Sequence, residues 1–315
     1  MLSDKDNRVQ AVVRVVRAAD ADVLVLAGID WDLEGHALTA LVERIDGYPH
    51  RFAARPNRGI DSGDDLNRDG KRGGPEDAHG FAEFAGQEGL AILSRLPLDL
   101  AAWRDFSTMA WQDMPQTLAL DDTPPDRRLS TTAHWMVPIS MPGGGRLSLL
   151  VWHATPPVFD GPRDRNGRRN HDETAFWLHY LDGAFGAPPK DFVLMGAANL
   201  DPVDGDGRPD ALDTLLTDPR IRDPRPGSTG AVLAAAADGG VNSAQQGDPA
   251  LDTVDWPDEP GRPGNMRVDY VLPAARLAVL DSGVLWPAPG ASLRGDVELA
   301  SRHRLVWVEI GLGAE

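Results

Sequence analysis

A single α/β domain is what the 315-residue sequence predicts, and three observations carry the prediction. Short apolar runs of strand length alternate with segments whose apolar residues recur at helical spacing. The 33 glycines and 26 prolines point to many loops rather than long helices. No period repeats and no low-complexity linker divides the chain, so 1–315 reads as one domain with a core supported by its 42% hydrophobic content.

Taken in order, Arg8 to Ala19 places Val9, Val12, Val13 and Val16 on one helical face, with Arg14 and Arg17 off it. Val23 to Leu26 reads as a buried strand that delivers Ala27-Gly28-Ile29-Asp30-Trp31-Asp32 to its C-terminal end, where sites form in open α/β sheets. A second helix spans roughly His36 to Ile45. Residues 57–80 form a long acidic insertion, and Gly89 to Arg95 is the next strand, stopped at Pro97. Leu129 to Ile139 and Arg146 to Trp152 read as neighbouring strands joined through the Met141–Gly145 turn. A helix follows at about Glu173 to Leu181, a strand at Asp191 to Met195 and a short helix at 210–217. Residues 222–266 are poor in hydrophobic pattern and read as an irregular surface excursion. Met266 to Pro273, Leu277 to Leu280 and Leu305 to Glu309 complete the strands.

The composition excludes some classes. With 31 basic against 48 acidic residues the net charge is −17, which repels duplex nucleic acid unless a local patch reverses the sign. There is no cysteine, so disulfide and thiol chemistry are excluded. No apolar run reaches membrane-spanning length. Met1 to Lys5 is not a secretory signal, so the chain as written reads as cytoplasmic.

Two stretches carry candidate chemistry. The run Leu147 to Trp152 ends in His153, and Pro156-Pro157 stops the strand there. Beyond it lies a loop with Arg163, Arg165, Arg168 and Arg169, ahead of a helix start near Asn170-His171-Asp172-Glu173. An imidazole facing guanidiniums at a sheet edge suits acid/base work or anion binding; the plainer reading is a satisfied strand terminus. In the insertion, Asp65-x-Asn67-x-Asp69-Gly70 followed by Glu76 matches a calcium-loop spacing, with oxygen ligands at alternate positions around a hard cation. No amphipathic helices flank it and Pro75 precedes the last ligand, so a solvated acidic loop is the alternative.

Together, Gly80 to Arg95, Ala154 to Glu173 (A-T-P-P-V-F-D-G-P-R-D-R-N-G-R-R-N-H-D-E) and Arg267 to Pro273 (R-V-D-Y-V-L-P) resemble a bacterial branch of the endonuclease/exonuclease/phosphatase family. The resemblance covers nearly the whole chain. It implies a deoxyribonuclease-like four-layer α/β fold, a two-sheet β-sandwich flanked by helices with the site at one end, and metal-assisted phosphate-ester hydrolysis with Mg²⁺ or Mn²⁺. By the same resemblance, His153 is the phosphate-stabilising histidine and Asn199 orients the phosphoryl group. His303 is the terminal histidine and Asp269 its orienting carboxylate. Relatives in this branch are typically exported, which points outside the cytoplasm if a leader is missing.

The carboxylates of the family pattern are replaced. The metal glutamate falls on Gly28, the aspartate of G-D-x-N on Ala197 in Gly196-Ala197-Ala198-Asn199, and that of S-D-H on Arg302 in Ser301-Arg302-His303. The family's first strand has no counterpart, because the sequence begins at the helix that normally follows it. Gly, Ala and Arg in place of three acids change that end of the sheet from −3 to +1, and a divalent cation needs anionic oxygens.

Three readings follow. In the first, the chain is an impaired or inactive phosphoesterase homologue whose His153, Asn199, His303, Arg302, Arg168 and Arg169 bind an anion, such as a phosphate-bearing small molecule or lipid headgroup. The second is an active hydrolase with ligands relocated to Asp30, Asp32, Asp201 or Asp204, motivated by the length of the retained 154–173 motif. The third is an interaction module whose acidic loops 61–76 and 201–210 bind calcium.

Overall fold

The computed structural model describes residues 6–311. In chain order its elements are α1 (Asn7–Ala19), β1 (Val23–Ile29), α2 (His36–Ile45), β2 (His50–Phe52), β3 (Gly89–Ser94), β4 (Arg104–Asp105), β5 (His134–Ser140), β6 (Arg146–His153), α3 (Arg165–Leu181), β7 (Phe192–Ala197), α4 (Asp210–Thr217) and α5 (Thr229–Asp238). They are followed by β8 (Val254–Asp255), β9 (Asn265–Met266), β10 (Asp269–Pro273), β11 (Ala278–Leu285), α6 (Arg294–Ala300) and β12 (Leu305–Gly311).

Alternation along the strands builds four layers. On β6, Leu147, Leu149 and Val151 face β3 and β5 side chains in an inter-sheet core, whereas Leu150 and Trp152 face the α3 residues Phe176, Trp177 and Tyr180. The sheet that carries both faces is five-stranded, in the order β10-β7-β6-β5-β4. Opposite it lies a three-stranded sheet, β1-β3-β2, and beside that a separate β11-β12 pair. Helices α1 and α2 close the outer face through Val13, Val16, Leu41 and Ile45 packed on Leu24 and Leu93. This is the expected helix–sheet–sheet–helix sandwich, with one of its sheets divided.

Three sequence expectations change. The helix expected from Glu173 begins at Arg165, so Arg165, Arg168 and Arg169 lie on its first turns rather than in a loop. The strand expected from Leu129 begins at His134, because the Leu129 and Ser130 carbonyls accept from Arg169 and the Thr131 amide donates to Glu173. The irregular excursion contains α5, capped by Ser228 at one end and Gly239 at the other around an alanine run. Those signals were present in the sequence, and the surrounding glycine and proline masked them.

Candidate functional site

Strand register assembles the site. β6 runs parallel to β7 and pairs His153 with Ala197, while β10 runs antiparallel to β7 and pairs Asp269 with Ala197. The three residues therefore stand in a row at one end of the five-stranded sheet. His303, just ahead of β12, closes onto that row with its Nδ1 2.8 Å from Asp269 Oδ2. Trp256 packs edge-on against its ring at 5.8 Å. Asn199 follows two residues beyond Ala197 in a left-handed conformation and donates through Nδ2 to the Ala154 carbonyl at 2.7 Å.

The two histidines are tuned in opposite directions. Burial pushes His153 down to about 3, Arg58 and His303 push it further the same way, and Asp269 offsets only part of this. Its Nδ1 is buried with no protein partner, leaving a neutral ring with a free polar atom. Burial also works against a charged His303, but the Asp269 carboxylate outweighs it and raises the pKa.

Arg58 is the cation that sequence reading missed. It lies in the insertion, pairs with Glu88 and carries a buried Nε without a partner. The backbone holds it there: Arg58 bridges Gly80, while buried Asn57 donates to the Ser107 and Ser130 carbonyls at 2.6 and 2.7 Å. No local motif marks Arg58, because its proximity to His153 depends on how the loop folds back.

Of the anion-binding arginines named from sequence, one is corrected. Arg169 is buried and spends its guanidinium on the Leu129, Arg128 and Ser130 carbonyls beside Glu173, so it holds a loop. Arg302 is exposed and reaches the Asp255 carbonyl at 3.3 Å. Arg163 pairs with Asp122 and Arg165 reaches the Leu66 carbonyl. Arg168 keeps a buried Nε without a partner.

The helix start that carries these arginines clamps the strand-end loops. Asn170 donates to the carbonyls of Thr155 and Ala198, both at 2.7 Å. Glu173 accepts from the Thr131 and Thr155 amides, and burial pushes its pKa up to about 7. Asp172 accepts from Trp111 Nε1 and from the Leu118 amide at 2.7 Å each.

The family resemblance implies a divalent cation here, and the residues present do not fit one. Gly28 sits in a left-handed bulge with open space around it, Ala197 is buried, and Arg302 is a cation that donates to the Asp255 carbonyl. The alternative carboxylates are engaged with backbone amides. Asp30 accepts from Glu88, and Asp32 caps α2 through His36 and Ala37. Asp201 accepts from Val203, Asp204 and Arg267, and Asp204 from Gln246 and Gly247. Among the described residues, no group of three or more His, Cys, Asp or Glu is gathered to hold a metal ion.

In the acidic insertion, Asp65 accepts from the Asp69 and Gly70 amides, Asn67 from Asp69, and Asp69 from Lys71. Glu76 lies in a short turn at Pro75–Asp77, and its neighbour Asp77 accepts from the Leu66 amide at 2.8 Å. No described helix is long and apolar enough to cross a membrane.

Comparison with known proteins agrees with this architecture. The chain is similar to the structure of an endonuclease/exonuclease/phosphatase from Beutenbergia cavernae DSM 12333, at 19% identity and TM-score 0.59, covering 98% of this chain and 66% of that one. It is also similar to a mannosyl-6-phosphatase from Bacteroides thetaiotaomicron VPI-5482, at 13% identity and TM-score 0.51, covering 97% and 91% of the two chains. The human Nocturnin catalytic domain with bound sulfate anion gives 13% identity, TM-score 0.52 and coverages of 98% and 88%. At these identities the likeness is one of fold. No curated protein matches the chain. The model of the Endonuclease/Exonuclease/phosphatase family matches residues 2–303, from the first helix to the histidine that closes the site, and the chain belongs to that family.

Proposed function

We propose that this chain is a catalytically impaired phosphoesterase homologue whose strand-end site binds a phosphate-bearing ligand directly, without a metal. The observation that carries the reading is the Asp269–His303 pair beside His153 and Arg58, at a site where Gly28, Ala197 and Arg302 stand in the acidic positions. The site's two ion pairs, Arg58–Glu88 and His303–Asp269, are close to neutral together, so an anion meets donors without the repulsion that three further carboxylates would impose. Buried His153 supplies a neutral polar ring, and Arg58 Nε lacks a protein acceptor. The sulfate carried by the Nocturnin domain of similar fold is in keeping with anion binding. The engaged state of Asp30, Asp32, Asp201 and Asp204 counts against relocated metal ligands.

Hydrolysis of bis-p-nitrophenyl phosphate with Mg²⁺, Mn²⁺ or Ca²⁺ tests the impairment, with a Gly28→Glu, Ala197→Asp, Arg302→Asp variant alongside. A silent native protein is expected, and metal-dependent turnover abolished by EDTA and by His303→Ala would overturn the reading. Calorimetric titration with inorganic phosphate tests the pocket: binding should weaken about tenfold in Arg58→Ala, the loss of one charged hydrogen bond. No phosphate binding by the native protein would defeat the anion-site half of the proposal.

A further inference from the structure

A cavity of about 510 Å³ opens where α4, the loop beyond β7 and the segments on either side of α5 meet, and its lining includes none of His153, Arg58, Asp269 and His303. α4 contributes Asp213 and Leu216, three residues apart and so on one face. The short turn at Pro249–Leu251 contributes Leu251, together with Asp248, which caps it by accepting from the Ala250 amide at 3.0 Å. Four aspartates and two arginines line the cavity, so it carries two net negative charges. Asp223 answers both arginines, holding Arg267 through hydrogen bonds of 2.8 and 2.6 Å and acting on Arg225 through its charge. Asp201 is committed to three backbone amides. That leaves Asp213, whose carboxylate meets no donor among the described residues, and Asp248, which meets only the one amide. Beside them Asp252 is 6% exposed, and its Oδ2 is buried without a donor. Burial and the charges of Asp201, Asp204 and Asp248 push its pKa up to about 8, and two of those three carboxylates line the cavity.

The cavity therefore wants positive charge at separate points. A single metal ion does not supply it, because among the described residues no three carboxylates are gathered around one position. The same lining presents apolar surface from Val203, Leu216 and Leu251. A chain of methylenes with an ammonium at each end matches both features, since each charged end takes a carboxylate while the hydrocarbon covers apolar side chains. We propose that this cavity binds a free linear aliphatic polyamine, with ammonium groups at Asp213 and Asp248 and methylenes against Leu216 and Leu251. The ammonium at Asp248 also brings Asp252 the countercharge that the protein does not give it. This inference does not depend on the anion site.

Calorimetric titration of the full chain with spermidine tests it, in salt of about 0.15 M so that diffuse attraction to the net charge of −17 is screened. Saturable binding at one site is expected. Pentylamine, with a similar hydrocarbon and a single ammonium, should bind about tenfold more weakly. Asp213→Asn and Asp248→Asn should each weaken spermidine about fivefold, the worth of one exposed ion pair. Asparagine at 248 still accepts from the Ala250 amide, so the turn is kept. Glu43→Gln, on the exposed side of α2, should leave the affinity unchanged. Absence of saturable binding overturns the proposal, as does pentylamine binding as tightly as spermidine. An unchanged affinity in either aspartate variant also overturns it, and a loss in Glu43→Gln as large as theirs reduces the binding to diffuse attraction and does the same.

Discussion

On β10, Tyr270 and Leu272 face α3 and α4 and are buried, while Val271 between them faces the divided sheet and is half-exposed. On β7 the contrast holds toward the site end, where Leu194 is buried and Met195 is not, while Val193 on the inner face is buried. On β6, both faces are buried, because its inner face meets β3 rather than the break. The side of the sandwich around α3 is thus complete, and the side around β1 and β12 is not. The long motif from Ala154 to Glu173 lies on the complete side, where Arg169, Asn170, Asp172 and Glu173 hold backbone and side-chain groups of surrounding loops. A reason of fold is therefore sufficient for that motif to survive, whether or not the protein turns over a substrate. Gly28 and Arg302 belong to the open side, and so does the Asp269–His303 pair, since Asp269 shares its face of β10 with Val271.

The sharpest way to break this comparison is at the clamp. Glu173→Ala should destabilise the fold by about 3–5 kcal/mol, because it leaves Arg169 buried without its countercharge and two amides without an acceptor. Urea denaturation would measure it, and a loss below about 1 kcal/mol would show that the complete side does not rest on these bonds. Along β10, Leu272→Ala should cost about 2–5 kcal/mol, as for a fully buried leucine. Val271→Ala should cost about 1 kcal/mol, since part of its surface already meets water. Equal losses at the two positions would erase the distinction between the faces.

Acid titration sharpens the comparison further. His153 titrates at about 3 in the folded chain against an ordinary 6.5. Its contribution is whole above pH 6.5 and is lost as pH falls toward about 3, because the unfolded chain takes up the proton first. Glu173 has the opposite sign: raised from 4.5 to about 7, its contribution is whole below the lower value and is lost as pH rises through the upper. Stability followed from pH 8 to 4 should therefore decline less on the acid side in His153→Asn than in the native protein. An unchanged acid limb would mean that the ring is protonated in the folded state. The smallest effect is expected at Arg302, where Ala should change phosphate affinity by less than about 0.5 kcal/mol, as for a surface residue away from the ligand. A loss there as large as in Arg58→Ala would return Arg302 to the site.

Most of the elements were legible in the sequence because they follow from local periodicity. The helix 36–45, the helix 210–217 and the strand opening at Gly89 sit where their apolar spacing puts them. His153 could be named as a strand-end residue because it closes an apolar run, whereas Asn199, Asp269 and His303 were named through the family resemblance of their motifs. The motif frame alone exposed the replacements at Gly28, Ala197 and Arg302. What the sequence could not determine was direction and company. Arg169 and Arg302 are both arginines beside site motifs, yet one is drawn inward to three carbonyls and the other turns outward to Asp255. Arg58 reaches the site from far away in the chain, and the break between β1 and β12 separates strands at opposite ends of it. Side-chain direction and strand partnership are set by burial and hydrogen bonding among distant segments, and these exist only once the layers have closed.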